Sequence, residues 1–225
     1  MPKIVDHDQR RRELAQAAWN VIADSGIDGA TTREIAREAG FSTGVLAHYF
    51  ERKDDILLEA LHMSHATIKR RMSDLLGPKE GLAALRAFCL DTVPLRQQQA
   101  RETILEMSFW SRALVNDELR QVQRREAAHW QRMLIGLIVS AQERGELAPG
   151  DPEVIADLLG GLIDGLSVHA LLYPDRFDEE RLTQLIDAQL ALWQPAASPN
   201  GAASAASADG ASVPRPAPVD GVSAG

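Results

Sequence analysis

Small polar and basic side chains are concentrated between Thr31 and Lys53. Ser42, Thr43 and Gly44 are small enough to let the backbone approach a phosphate group or the edge of a base. Lys53 stands at the predicted start of a longer helix, where its ammonium can hold one more phosphate. We therefore expect eight residues to contact DNA: Thr32, Arg33, Ser42, Thr43, Gly44, His48, Tyr49 and Lys53.

Two short helices joined by a tight turn must position these side chains. Thr31 and Glu34 have the spacing of a capping box, which predicts a helix start. Gly40 suits the left-handed residue that closes this helix, and Ser42 can cap the next one. The pattern is that of a helix-turn-helix, whose second helix enters the major groove of DNA.

These residues carry a family resemblance. The run T-T-x-x-I-A-x-x-A-G-F-S-T-G-x-L-x-H-Y-F-x-x-K resembles the amino-terminal signature of the TetR/AcrR family of bacterial one-component repressors. A P-K start, an R-R-R run in the first helix and the S-T-G-x-x-x-H-Y-F turn are similar to the choline-responsive betaine-synthesis repressors. The resemblance implies a dimeric, ligand-controlled regulator. At Ala47, where the family usually has a tyrosine, one customary base or phosphate contact is missing, which predicts a changed operator preference.

The charge of the chain confines any DNA contact to local spots. Residues 1–53 hold eight of the 24 Lys and Arg residues and eight of the 32 Asp and Glu residues, so the remainder carries the whole net charge of −8. An acidic body repels DNA. The available basic positions are Arg10, Arg11, Arg12, Arg33, Arg37, Arg52 and Lys53. For Arg37 and Arg52, a purely solvated face is an equal alternative.

Aromatic residues beside a carboxylate predict an effector pocket. Glu106, Phe109 and Trp110 share one face of a predicted helix, and His129, Trp130 and Met133 share a face of the next. Such a cluster can enclose an organic cation, which favours a quaternary ammonium or polyamine effector. The full candidate set is Phe88, Glu106, Phe109, Trp110, His129, Trp130 and Met133. The alternative is that these aromatic residues are ordinary core.

The hydrophobic periodicity is helical almost throughout and predicts an all-α fold. Beyond the helix-turn-helix, helices are expected at 8–25, 54–77, 80–93, 97–114, 117–145, 152–173 and 178–193. We expect a DNA-binding domain at 1–53, an effector-binding and dimerisation domain at 54–194 and a disordered tail at 195–225. The tail composition of Ala, Ser, Gly and Pro cannot bury enough apolar surface to order it.

The helix at 152–173 is apolar on two sides. One stripe begins at Val154 and a second at Ile155, so the helix must be buried on both faces. We expect it to form a four-helix homodimer interface with the helix at 178–193, as the resemblance also implies. The expected interface residues are Leu158, Gly161, Leu162, Gly165, Leu166, Leu182, Ile186 and Trp193. The alternative is a helix buried within its own chain.

The number of cysteines and the hydropathy of the chain predict the cellular compartment of the protein. The single cysteine, Cys89, excludes an internal disulfide and suggests a buried thiol in a reducing cytoplasm. The most apolar run is shorter than the ~20 residues that span a bilayer and contains Asp164 and His169. We expect neither a leader sequence nor a membrane segment.

Other chemical signals are weak. His62 and His65 have no further ligand at a recognisable spacing, so we expect no metal and no cofactor. The closing GVSAG run matches the G-x-S-x-G hydrolase elbow in form only, because an elbow needs an α/β sheet. No catalytic group of residues has a workable spacing. The leading hypothesis is a repressor released from a palindromic operator by an effector; the alternative is a helical carrier or enzyme without regulatory DNA binding.

Overall fold

The computed structural model describes residues 7–195. Within this range the chain forms nine α-helices and no β-strand, which confirms the all-α prediction. The helices are α1 (His7–Gly29), α2 (Thr32–Glu38), α3 (Thr43–Tyr49), α4 (Lys53–Leu76), α5 (Gly81–Thr92), α6 (Gln97–Ala113), α7 (Asp117–Glu143), α8 (Pro152–Leu172) and α9 (Glu179–Ala191). The expected tail, except for Pro195, and the GVSAG run lie outside the described residues.

The helix boundaries follow local chemistry that the sequence displays. Thr31 Oγ1 accepts a hydrogen bond from Glu34 N at 3.2 Å and so fixes the start of α2. Gly40 has a φ of 72°, a left-handed conformation that permits the turn into α3. Gly26, with a φ of 69°, breaks α1 at its predicted end, although a last helical turn continues to Gly29.

A first hydrophobic core joins α1–α4 to the second half of α6 and the start of α7. Its largest fully buried side chains are Leu14, Ile22, Ile35, Leu46, Leu57, Leu61, Leu105 and Phe109. Trp19 of α1 is buried in this core, and the guanidinium of Arg101 lies over its ring at 4.8 Å. The helix-turn-helix is therefore packed directly against α6.

A second core lies among α5, α7, α8 and α9. Cys89 is fully buried there, and burial raises the pKa of its thiol to about 12, so the thiol is unreactive at neutral pH. α4 contributes to both cores, with Leu57 and Leu61 in the first and Met72 in the second. A domain division at residue 53 stays a prediction, because α4 serves both sides of it.

Candidate DNA-contacting surface and effector cavity

The predicted DNA-contacting residues form a largely exposed surface on α2, α3 and the start of α4. Six of them are exposed to solvent: Thr32, Arg33, Ser42, Thr43, Gly44 and His48. Ser42 Oγ accepts a hydrogen bond from Val45 N at 3.4 Å, which fixes the start of α3. The amino end of α3 therefore carries small side chains that face solvent, as a recognition helix requires.

Tyr49 and Lys53 are half-buried and also tie helices together. The hydroxyl of Tyr49 lies 3.2 Å from His7 Nδ1, and its ring lies 5.4 Å from that of His48. Lys53 Nζ donates a hydrogen bond of 2.5 Å to the carbonyl oxygen of Ile27. An ammonium has three donors, so Lys53 retains capacity for a phosphate. Contact of these residues with DNA stays a prediction.

A cavity of about 460 Å³ lies between α4, α5, α6, α7 and α8, and we call it the effector cavity because it is the candidate site for the predicted effector. It brings together four of the seven predicted effector residues: Phe88, Glu106, Trp110 and Trp130. Met72, Met107 and Leu134 add apolar surface to its wall. The predicted residues lie on α5, α6 and α7, whereas the walls that α4 and α8 contribute were not predicted.

Three predicted effector residues lie elsewhere, which corrects the prediction. Phe109 is fully buried in the first core. Helix α6 lies between that core and the cavity, so Phe109 points into the core while the adjacent Trp110 lines the cavity. Met133 packs against the second core. His129 is not part of the wall; its ring lies 5.6 Å from that of Trp130, edge to face. Helical spacing alone could not separate these two environments.

Arg71 of α4 binds two carboxylates of the cavity wall. Its Nη1 and Nη2 each donate to an oxygen of Glu102 at 2.8 Å, and its Nε donates to Asp91 at 3.0 Å. The side chains of Glu102 and Asp91 are only 7% and 11% exposed. The hydrogen bonds to Glu102 and Asp91 raise the pKa of Arg71 far above its usual value. Burial lowers this pKa, but by less, so the guanidinium is always charged.

His65 of α4 is buried between two glutamates. Its Nε2 lies 2.9 Å from Glu106 Oε2 and its Nδ1 lies 3.1 Å from Glu126 Oε2. Burial lowers the pKa of His65, but the hydrogen bonds and charges of the glutamates outweigh burial and leave the pKa above its ordinary value. Trp110 Nε1 donates to the other oxygen of Glu106 at 2.8 Å. Glu106 is therefore held on both oxygens.

His62 and His65, the two histidines with the spacing of a metal pair, lie in different environments. His62 is exposed, whereas His65 is buried and directed at carboxylates. In the part of the chain that the structure describes, no group of three or more His, Cys, Asp or Glu residues could hold a metal ion.

Asp164 of α8 completes the acidic wall at an edge of the cavity where its side chain is exposed to solvent, and it is not among the predicted site residues. Burial and the nearby negative charge of Glu106 raise the pKa of Asp164 to about 6. The sequence does contain a signal for this face, because Asp157, Gly160, Gly161 and Asp164 recur at helical spacing along one edge of the first apolar stripe of α8. All four line the cavity, so this edge is the one that faces it.

The two apolar stripes of α8 differ in burial. Ile155, Leu159 and Leu166 are buried in the second core, whereas Val154 and Leu158 are 54% and 59% exposed. Of the eight residues expected at a dimer interface, Leu158, Gly161 and Gly165 are exposed, and Leu162 and Trp193 are half-buried.

The other three residues expected at the interface, Leu166, Leu182 and Ile186, belong to the chain's own core. Their placement in a partner contact is wrong, because α8 and α9 pack their inner faces on α5 and α7. The alternative of an intrachain helix therefore holds for one face of α8.

By length and composition, α8 is also the single helix within residues 7–195 that could cross a membrane. Its 21 residues exceed the length that the apolar run alone suggested. This signal is weak, since a helix with one face in the core passes the same test. The buried second stripe and the cavity-facing Asp164 account for its composition in a folded domain.

Two family models match this chain. Residues 14–60 match the model of bacterial regulatory proteins of the tetR family, and residues 81–193 match that of the C-terminal part of BetI-type transcriptional repressors. The chain belongs to the TetR family of transcriptional regulators. The first match extends into the start of the long α4 helix, and the second begins with α5.

Individual proteins similar to this TetR-family chain are also transcriptional regulators. The HTH-type transcriptional regulator PksA of Bacillus subtilis (strain 168) is 32% identical over 190 residues, which cover 83% of this chain and 90% of that protein. The HTH-type transcriptional regulator BetI of Paraburkholderia phymatum is 32% identical over 192 residues, covering 82% of this chain and 93% of that protein.

Solved structures show the same fold. A transcriptional regulator from Rhodococcus sp. Rha1 has a TM-score of 0.74 and 27% identity, covering 81% of this chain and 95% of its own. A putative transcriptional regulator from Saccharomonospora viridis in complex with choline has a TM-score of 0.78 and 23% identity, covering 82% and 96%. At that identity the second likeness shows the fold alone.

Family membership decides between the two functional hypotheses. The chain is a DNA-binding transcriptional regulator of the TetR and BetI type, and it is not an enzyme. The hypothesis of a carrier or enzyme without regulatory DNA binding is thereby set aside.

Proposed function

We propose that this TetR-family regulator is a repressor that leaves its operator when a small organic cation binds in the effector cavity. The charge of the cavity wall carries the proposal. The cavity is lined by two basic groups, Arg71 and His65, and by five carboxylates. The carboxylates are those of Asp91, Glu102, Glu106, Asp157 and Asp164. A cavity with this excess of negative charge favours a cation over an anion or a neutral molecule.

The aromatic side chains of the wall support a cation with apolar substituents. Phe88, Trp110 and Trp130 line the cavity together with Met72 and Met107. An aromatic ring face contributes about 0.5–2 kcal/mol to binding an organic cation, and alkyl groups on nitrogen gain from apolar burial. A BetI-type C-terminal region and a fold shared with a choline-bound regulator are consistent with a quaternary ammonium effector.

α6 supports coupling between the cavity and the DNA-contacting surface. Glu106 and Trp110 line the cavity, while Leu105 and Phe109 on the same helix belong to the first core. A shift of α6 on effector binding would therefore repack the core that carries the helix-turn-helix. Such a shift releases DNA if the effector prefers the arrangement that fits the operator less well.

The exposed stripe of α8 supports a homodimer. Val154, Leu158 and Leu172 are each more than half exposed, and the exposed Gly165 lies between them on the same face. A patch of this kind usually marks a protein interface, and a glycine permits close helix approach. A two-fold dimer places two recognition helices on a palindromic operator in the cytoplasm, where operator DNA lies.

Calorimetry tests the effector class. Choline, spermidine and decanoate are titrated separately into the protein, and we expect binding of at least one cation and none of decanoate. Trp110→Ala should weaken cation binding about tenfold, because one ring face is lost. Tyr173→Ala, which removes an exposed aromatic residue outside the cavity, is the matched control and should change nothing. A protein that takes up neither cation overturns the proposal, whatever it does with decanoate.

A further inference from the structure

We infer that Asp164 anchors the cationic head of the effector in a recess of α8 beside Gly160 and Gly161. Glu106, the carboxylate that the sequence favours, is then a positioning residue for Trp110 and His65. This inference rests on the proposed cation site and assigns the contacts within it. It differs from the sequence-based assignment in the helix that binds the charge: α8 rather than α6.

The partners of the five wall carboxylates separate Asp164 from the rest. Asp91 and Glu102 are bound by Arg71, and Glu106 is bound by His65 and Trp110. Asp157 accepts a hydrogen bond of 2.9 Å from Gln131 Nε2. Among residues 7–195, the side-chain carboxylate of Asp164 has no hydrogen bond or ion pair. Asp164 is exposed to solvent, so its carboxylate can accept a ligand without first breaking a bond within the protein.

Gly160 and Gly161 give the ligand room beside this carboxylate. They precede Asp164 by four and three residues, so all three share a face of α8, and a helical side chain leans toward the amino end of its helix. Asp164 therefore leans over the two glycines. A Cβ added at either glycine would meet no atom within 4 Å, so there is open space beside both residues. A substituted ammonium group fits such a recess.

The opposite wall supplies what the ammonium substituents need. Trp110 and Met107 come from α6 and Trp130 comes from α7, and all three line the cavity that Asp164 faces. The charges of Asp164 and Glu106 repel each other, and Glu106 cannot turn away because both its oxygens are held. A cation between the two carboxylates relieves this repulsion. We therefore expect Asp164, which has no protein partner, to contribute more to cation binding than Glu106 does.

Cation binding should consequently release the proton that Asp164 carries at low pH. Burial and the charge of Glu106 raise the pKa of Asp164 to about 6, and a bound cation lowers it by favouring the carboxylate. Affinity should therefore rise with pH, by about fourfold between pH 5.5 and 7.5 if only the ionised form binds. The other titratable groups that face the cavity are His65, Arg71, Asp91, Glu102, Glu106 and Asp157.

Choline titrated into the full chain by calorimetry tests the assignment. At pH 7.5, Asp164→Asn should weaken choline binding by about tenfold or more. Glu106→Gln should weaken it less. Asp175→Asn makes the same charge change at an exposed position outside the cavity and should have no effect. Gly160→Leu should abolish binding by filling the recess while the helical circular dichroism spectrum is retained.

Proton release separates an anchoring role from a structural one. At pH 6.0, in two buffers of different ionisation enthalpy, wild type should release about half a proton per choline bound at Asp164. Asp164→Asn should lack this component, whereas Asp175→Asn should retain it. His65 also responds to a cation, and its contribution is what remains in Asp164→Asn.

The outcomes distinguish the anchor from the site itself. If wild type binds choline while Asp164→Asn binds it equally and releases the same protons, the Asp164 assignment is overturned and the cation site stands. A greater loss in Glu106→Gln than in Asp164→Asn also overturns the assignment. If wild type binds neither choline nor spermidine, the proposed function itself fails and the anchor fails with it.

Discussion

Gly44 tests the DNA-contacting surface with a change that the fold accepts. A Cβ at Gly44 would meet only Ser42 Oγ, at an ordinary contact distance of 3.7 Å. Within a helix, alanine is more stable than glycine by up to about 1 kcal/mol, so Gly44→Ala should melt no lower than wild type. It should nevertheless bind DNA more weakly, because a methyl group holds the amino end of α3 away from the groove.

The measurements for Gly44→Ala are thermal melting and DNA affinity by fluorescence anisotropy. Gly136→Ala, a change at an exposed α7 position with no atom within 4 Å of the added Cβ, is the control and should leave DNA affinity unchanged. Equal affinity of Gly44→Ala and wild type would show that α3 does not approach DNA through this end.

Asp164 should also govern how the stability of the free protein depends on pH. Its pKa is about 6 in the folded chain, above the ordinary value of 3.8, so the folded state holds the proton more tightly. Stability contributed by this group is present below the ordinary pKa and is lost as pH rises through about 6. Asp164→Asn should therefore melt above wild type at pH 7.5, and this difference should vanish near pH 4. A pH-independent difference in melting temperature would contradict the raised pKa.

Arg71 is expected to matter for stability beyond any role in binding. Arg71→Met leaves the carboxylates of Glu102 and Asp91 without their cation in a poorly solvated wall. Removing one partner of a buried ion pair costs about 3–5 kcal/mol, and because Arg71 is 30% exposed we expect about 3 kcal/mol. Urea unfolding at pH 7.5 measures it. Arg70→Met, on the exposed neighbour, should change the free energy of unfolding by less than about 0.5 kcal/mol.

At the scale of single residues, the sequence predicted what local chemistry decides. The caps at Thr31 and Ser42 and the left-handed Gly40 depend on neighbours within a few positions, and all three have their predicted roles. Asp164 was not predicted, because its environment comes from α6 and α7, which are distant in sequence. Phe109 was misassigned for the same reason.

Among the helices, α8 shows which part of a pattern a sequence can resolve. The period of 3.6 residues predicts two apolar stripes correctly. It does not say which stripe packs on the chain's own core, since both are equally apolar. Leu166 was therefore assigned to a partner although it is 7% exposed within its own subunit, whereas Leu158 is free at the surface.

That distinction yields a sharper test of dimerisation. Leu158→Glu should leave the fold intact and give a monomer, because it places a charge in the exposed stripe. Light scattering at micromolar concentration measures the mass, and circular dichroism verifies the helices. Ala66→Glu adds the same charge to an exposed face of α4 and should remain dimeric. A monomeric wild type, or a dimeric Leu158→Glu, would contradict an interface on this stripe.

In the whole molecule, α4 and α6 connect the effector cavity to the helix-turn-helix. Arg112, at the end of α6, donates to Asp54 at the start of α4 with distances of 2.9 and 3.1 Å. Near the start of α6, Arg101 pairs with Asp24 of α1 at 3.1 Å. Both ends of α6 therefore form ion pairs with helices that pack around the helix-turn-helix. Between these ends, Glu106 and Trp110 line the cavity. The sequence predicted the two functions but not this shared helix, because it results from packing between distant segments.

The central claim is that a cation in the effector cavity releases DNA, and a competition experiment tests it most directly. A duplex selected by the wild-type protein from a random library is labelled, and its anisotropy is followed while choline is added to the complex. The same titration of free duplex corrects for direct effects on DNA. We predict that choline releases the duplex from wild type, and that Asp164→Asn needs about tenfold more choline for the same release. An unchanged anisotropy at choline concentrations that saturate wild type in calorimetry would contradict the account.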